Sequence, residues 1–70
     1  MIKCHLSTLM GKHRMKIAEV ARLTGLNRST ITSLYKDEAK RIDMAAIDQL
    51  CKLFQCQSIS ELIEYIPEDE

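Results

Sequence analysis

Apolar residues recur with a helical period along nearly the whole chain. At about 100° per residue, Ile2, Leu6, Leu9 and Met10 fall on one stripe, which predicts a first helix over residues 2–13. Val20, Leu26, Ile31 and Leu34 are spaced to clamp two further short helices, residues 17–24 and 28–36, onto a third. Asn27 is placed to cap the second of these through its side-chain oxygen. After a polar segment, residues 37–42, Asp43 opens a fourth helix with Ile47, Leu50, Cys51 and Phe54 as its core stripe. Ser58-x-x-Glu61 reads as a capping box opening a fifth, in which Ile59, Leu62, Ile63 and Ile66 share one face until Pro67 stops it. No segment alternates with a period of two, so no strand is expected. The acidic tail, residues 67–70, is expected to fray. The predicted fold is all-α, five short helices around one core in a single domain spanning residues 1–70.

Within that pattern, residues 17–34 (IAEVARLTGLNRSTITSL) are the most specific stretch. Ala21 sits where two helices must cross closely. Gly25 follows four residues later, where the chain reverses through a left-handed conformation that costs an ordinary L-residue about 1–2 kcal/mol. Small residue, glycine turn and apolar clamp together describe a helix-turn-helix, here about residues 17–36.

Size and charge narrow the function. Seventy residues leave little room for a catalytic cleft beside a core. No run approaches the roughly 18 apolar residues of a membrane span, and the N-terminus lacks a signal-peptide layout, so a cytoplasmic protein with no membrane partner is expected. Cys4, Cys51 and Cys56 form no Cys-x-x-Cys pair and are expected to be reduced, with Cys51 packed as a small hydrophobe. Together with His5 and His13 they supply neither metal-ligand spacing nor a nucleophile with its base, so no metal, cofactor or enzyme activity is expected. Net charge is zero but unevenly distributed. Residues 11–41 carry eight basic and three acidic side chains; residues 42–70 carry one basic and seven acidic. The positive half coincides with the helix-turn-helix, as a DNA-binding surface requires.

On the third helix, Ile31 and Leu34 point one way, while Arg28, Ser29, Thr32 and Lys36 lie within about 100° of one another on the opposite side, with Ser33 at the margin. Any one of them alone is ordinary solvated surface. As a set they suit base edges in a major groove, with Arg28 able to bind O6 and N7 of a guanine and Ser29, Thr32 and Ser33 short enough for close approach. Lys16 and Asn27 before the two helices, and Lys36, Lys40 and Arg41 at and beyond the end of the second, are candidate phosphate contacts. Tyr35 lies between the two faces, where packing is the expected role.

The motifs in residues 15–34, the helix at 43–54 and the closing segment CQSISELIEYIP resemble the lambda repressor/Cro-type helix-turn-helix family, in particular its short single-domain bacterial and prophage regulators. The resemblance implies five helices, the third in the major groove, and transcriptional control by operator binding as a dimer. It places Arg28, Ser29, Thr32 and Ser33 at the recognition positions. Two departures stand out: Lys16 and Ile17 replace a hydroxyl cap and a phosphate-gripping glutamine, and Tyr35 and Asp37 replace a glutamate and a glycine after the recognition helix.

The expected function is therefore a sequence-specific regulator of double-stranded DNA, repressing by occupancy of a pseudo-palindrome with half-sites ~34 Å apart. A homodimer is expected through Met44, Ala46 and Leu53 on the fourth helix, or through the fifth. The rival reading is an antitoxin or anti-repressor whose acidic C-terminal half binds a basic protein partner.

Overall fold

The computed structural model describes residues 1–68. In chain order the elements are β1 (Ile2–Cys4), α1 (Leu6–Lys12), α2 (Ile17–Thr24), α3 (Arg28–Tyr35), α4 (Met44–Leu53), a single 3-10 turn (Ile59–Glu61) and β2 (Ile63–Tyr65). α3 packs against α1 and α2, and α2 against α4. The core draws on every helix: Leu6, Val20, Ile31, Leu50 and Leu62 have no solvent exposure, with Leu9, Met10, Leu34, Ile47 and Phe54 completing it. Asn27 and Asp43 cap α3 and α4 as the sequence predicts, their Oδ1 atoms accepting from the amides of Ser29 and Ala45 at 2.9 Å.

The two ends of the chain depart from the five-helix expectation. The first helix does not begin at residue 2, and the fifth is not a helix. Instead β1 and β2 form an antiparallel pair, with Ile2 opposite Tyr65, Lys3 opposite Glu64 and Cys4 opposite Ile63. The hydrogen bonds show why. A fifth helix would send the Ile66 amide to the Leu62 carbonyl; it goes instead to the carbonyl of Met1 at 2.8 Å, while Leu62 accepts from the His5 amide at 2.7 Å. The capping box at Ser58 forms, Glu61 accepting from the Ser58 amide at 3.1 Å, but it starts only one turn. Segments this short do not hold a helix unaided. Ile2 and Cys4 on one face of β1, with Ile63 and Tyr65 on the same face of β2, satisfy an alternation of period two equally well. Lys3 opposite Glu64 places opposite charges across the strands, which favours this register. Of the tail expected to fray, Pro67 and Glu68 carry no regular structure, with the Glu68 carboxylate 3.8 Å from the amino group of Met1, and Asp69 and Glu70 lie outside the described residues.

All four helices end on a residue with positive φ. Gly25 (75°) is the only glycine among them; the others are Arg14 (55°), Asp37 (58°) and Gln55 (54°). At these three a wrap-around bond closes the turn: Met15 to Met10 at 2.9 Å, Glu38 to Ser33 at 2.9 Å and Cys56 to Cys51 at 2.9 Å.

Two measurements test this architecture. Amide hydrogen exchange should protect Lys3, Glu64 and Ile66, whose amides face the partner strand, and leave Ile63 and Tyr65 fast; contiguous protection across 62–66 would restore the helix. Ile31→Ala should cost roughly 2–5 kcal/mol in urea denaturation, because the site has no exposure and its cavity adds to the lost burial.

Candidate nucleic-acid interface

The turn between α2 and α3 is built from short bonds. The Thr24 hydroxyl donates to the Val20 carbonyl at 2.6 Å and accepts from the Leu26 amide at 3.2 Å, while the Gly25 amide closes onto Ala21 at 2.9 Å. No atom lies within 4 Å of where a Cβ on Gly25 would stand, so conformation and not crowding demands glycine here. With the turn set, Ile31 and Leu34 enter the core and the opposite face of α3 turns outward.

That face is a ridge between two clefts. Arg28 and Thr32 line one, of ≈ 540 Å³, together with Lys16, Ile17 and Ala18 at the start of α2 and Tyr35. Ser29 and Ser33 line the other, of ≈ 200 Å³, with Arg41, Asp43 and the apolar Ala39, Ile42 and Ala46. A cation thus stands on each flank: Lys16 and Arg28 on one, Arg41 on the other. A helix seated in a major groove meets a phosphate strand on each side in the same way.

The individual side chains are not equivalent. Arg28 and Ser29, in the first turn, are exposed; Thr32 and Ser33 are half-buried and sit lower on the ridge. Ser29 turns its hydroxyl back to Asn27 Oδ1 at 2.9 Å, which commits its proton but leaves its lone pairs free. Asn27 Oδ1 thereby accepts from both the amide and the hydroxyl of Ser29, so only its amino group is free to donate outward. At α2 no side chain takes the place of the hydroxyl cap; the Glu19 carboxylate reaches back to accept from the Lys16 amide at 3.4 Å. Lys36 is exposed at the C-terminus of α3 and lines neither cleft. Lys40 lies elsewhere, on a ≈ 130 Å³ hollow shared with Asp37, Ile2, Cys4 and Ile63. Tyr35, expected to pack, is 43% exposed and stands in the cleft with Lys16 and Arg28. Its position between the two faces of the helix was visible in the sequence; that the end of α1 leaves it uncovered was not.

The chemistry available outside this surface is slight. Among the described residues, no group of three or more His, Cys, Asp or Glu could hold a metal ion, and no helix is long and apolar enough to cross a membrane. The three cysteines are free and half-buried. Burial raises the pKa of Cys4, with Asp37 adding to it, and burial and the neighbouring Cys51 raise that of Cys56. Thiols held protonated in this way are poor nucleophiles.

The family model for the Cro/C1-type HTH DNA-binding domain matches residues 5–68, which takes in the turn, the ridge and both clefts. The chain belongs to this family. It is a family of DNA-binding transcriptional regulators, and the helix-turn-helix inferred from residues 17–34 lies within the matched residues. The chain is also similar to an uncharacterized HTH-type transcriptional regulator, YozG, of Bacillus subtilis (strain 168): 21% identity over 66 residues, covering 94% of this chain and 77% of that protein. No solved structure gives a significant match.

The two bonds to Asn27 predict that Asn27→Ala lowers stability by about 1 kcal/mol, while Asn27→Asp retains the cap. Thermal melts of the two variants beside the parent check this. Equal losses in both would mean that the cap contributes nothing.

Proposed function

We propose that this protein is a sequence-specific repressor that seats α3 in the major groove of an operator. The observation that supports this most directly is the ridge flanked by clefts, a cation on each side, in a domain of the Cro/C1 type. Arg28, Ser29, Thr32 and Ser33 read base edges, Arg28 foremost because it is exposed in the first turn. Lys16, Asn27, Lys36, Lys40 and Arg41 hold phosphates, and the Tyr35 hydroxyl joins Lys16 on its flank. With no step of chemistry to perform, occupancy of the promoter is the simplest route to repression.

The protein acts as a homodimer on two half-sites ~34 Å apart in this reading. The surface for self-association is narrower than the sequence implied. Ala46 is buried, Leu53 is half-buried against the core and the described residues form no fifth helix, which leaves Met44, 75% exposed, as the large apolar residue α4 offers, with Ile42 exposed just before it.

Fluorescence anisotropy against DNA from the protein's own upstream region and against a scrambled control, over a salt series, tests the function. Tight binding to the native fragment alone, weakening steeply with salt, is the expected result. Equal weak binding to both fragments would point to the rival reading, an antitoxin-like or anti-repressor module with a basic protein partner. Arg28→Ala should cost roughly 1–3 kcal/mol of operator affinity. Its stability should stay within about 0.5 kcal/mol of the parent, because the side chain is exposed. Sedimentation that finds only monomer, free and on operator, would remove the dimer.

A further inference from the structure

The Asp37 carboxylate accepts a hydrogen bond from the Cys4 amide at 2.9 Å, across 33 residues of sequence. Strand parity explains why that amide is free. Met1 and Ile66 exchange both of their bonds and the His5 amide donates to the Leu62 carbonyl, so by the alternation of the ladder Lys3 and Glu64 face each other in a bonded position and the amides of Ile2 and Cys4 point away from β2. Asp37 therefore caps the outer edge of β1. At the same time it is the left-handed residue that ends α3, at φ 58°, with the Glu38 amide closing onto Ser33. One residue thus terminates the recognition helix and anchors the chain that follows to the strand pair.

Lys36 stands just before Asp37, and the chain that follows carries Lys40 and Arg41. It has no regular structure between α3 and α4, and it spans the hollow floored by Ile2, Cys4 and Ile63. An acidic residue beside Lys36, Lys40 and Arg41 is unfavourable for DNA binding unless it serves another purpose. We propose that Asp37 is a positioning residue for DNA binding: by tying the segment 37–42 to the β1 edge it holds Arg41 on its flank of α3. This rests on the DNA-binding reading above. Asp37 touches no DNA in this role, and its negative charge is incidental, since a neutral acceptor would serve.

Two substitutions separate tether from charge. Asp37→Asn keeps the acceptor oxygen and tolerates the left-handed conformation. Asp37→Gly keeps the turn, at still lower strain, and loses the acceptor. The probe is a fluorescein-labelled duplex of arbitrary sequence, because phosphate contacts do not depend on the bases. Asp37→Asn should bind as tightly as the parent or tighter. Asp37→Gly should bind more weakly, with the slope of log K against log salt shallower by about one, since each phosphate contact contributes ~0.9. Amide exchange at Cys4 should accelerate in Asp37→Gly and stay slow in Asp37→Asn.

If both variants bound more tightly by the same factor, Asp37 would be only a repulsive charge and the proposal would fall. Parental affinity and slope in Asp37→Gly would also overturn it, while leaving the DNA-binding reading intact. Failure of the parent protein to bind any duplex at low salt would instead overturn that reading, and the positioning role with it, whatever the exchange at Cys4.

Discussion

The direction in which α3 faces depends on two buried side chains, Ile31 and Leu34. They lock the helix against α1 and α2, and a helix with one edge so fixed has its opposite edge fixed as well. Arg28, Ser29, Thr32 and Ser33 owe their place on the ridge to that constraint, with Ser29 held further by its bonds to Asn27. The clefts on either side follow from it too, because their walls are the starts of α2 and α4, which the same core holds in place.

The strand pair gives this small core its closure. Leu62 reaches the centre with no exposure, and its carbonyl, bonded to His5, begins the ladder that draws the C-terminal segment against the start of the chain. His5 Nε2 and the Glu64 carboxylate, 2.6 Å apart, reinforce the same junction from the side chains. The pair also supplies an edge that Asp37 uses, so an element remote from the proposed recognition face has a bonded route to the segment beside it.

Positive-φ helix ends illustrate how local rules and tertiary demand divide the work. Gly25 announces its turn, since glycine adopts such a conformation at little cost. Arg14, Asp37 and Gln55 adopt it as well, although nothing in their identity requires it. The wrap-around bonds offset the strain, and Asp37 adds a tertiary bond of its own.

Helices α2, α3 and α4, their caps at Asn27 and Asp43, the glycine turn, the outward set on α3 and the charge division were legible in the residues alone. Each rests on contacts within a few positions of sequence, or on a period repeated often enough to be unambiguous. The ends of the chain were not legible. Three or four apolar residues in a short window fit a helical stripe and a strand alternation alike, and the choice fell to hydrogen bonds between residues some sixty positions apart, as from Ile66 to Met1. The same holds within the interface. Side-chain types marked Arg28 and Lys16 as candidates, but only packing decided that Tyr35 is open, that Ala46 is buried, and that Lys40 faces the hollow beside β1 and not the clefts flanking α3. Local sequence determines which face a helix can offer; what lies against that face is set by distant parts of the chain.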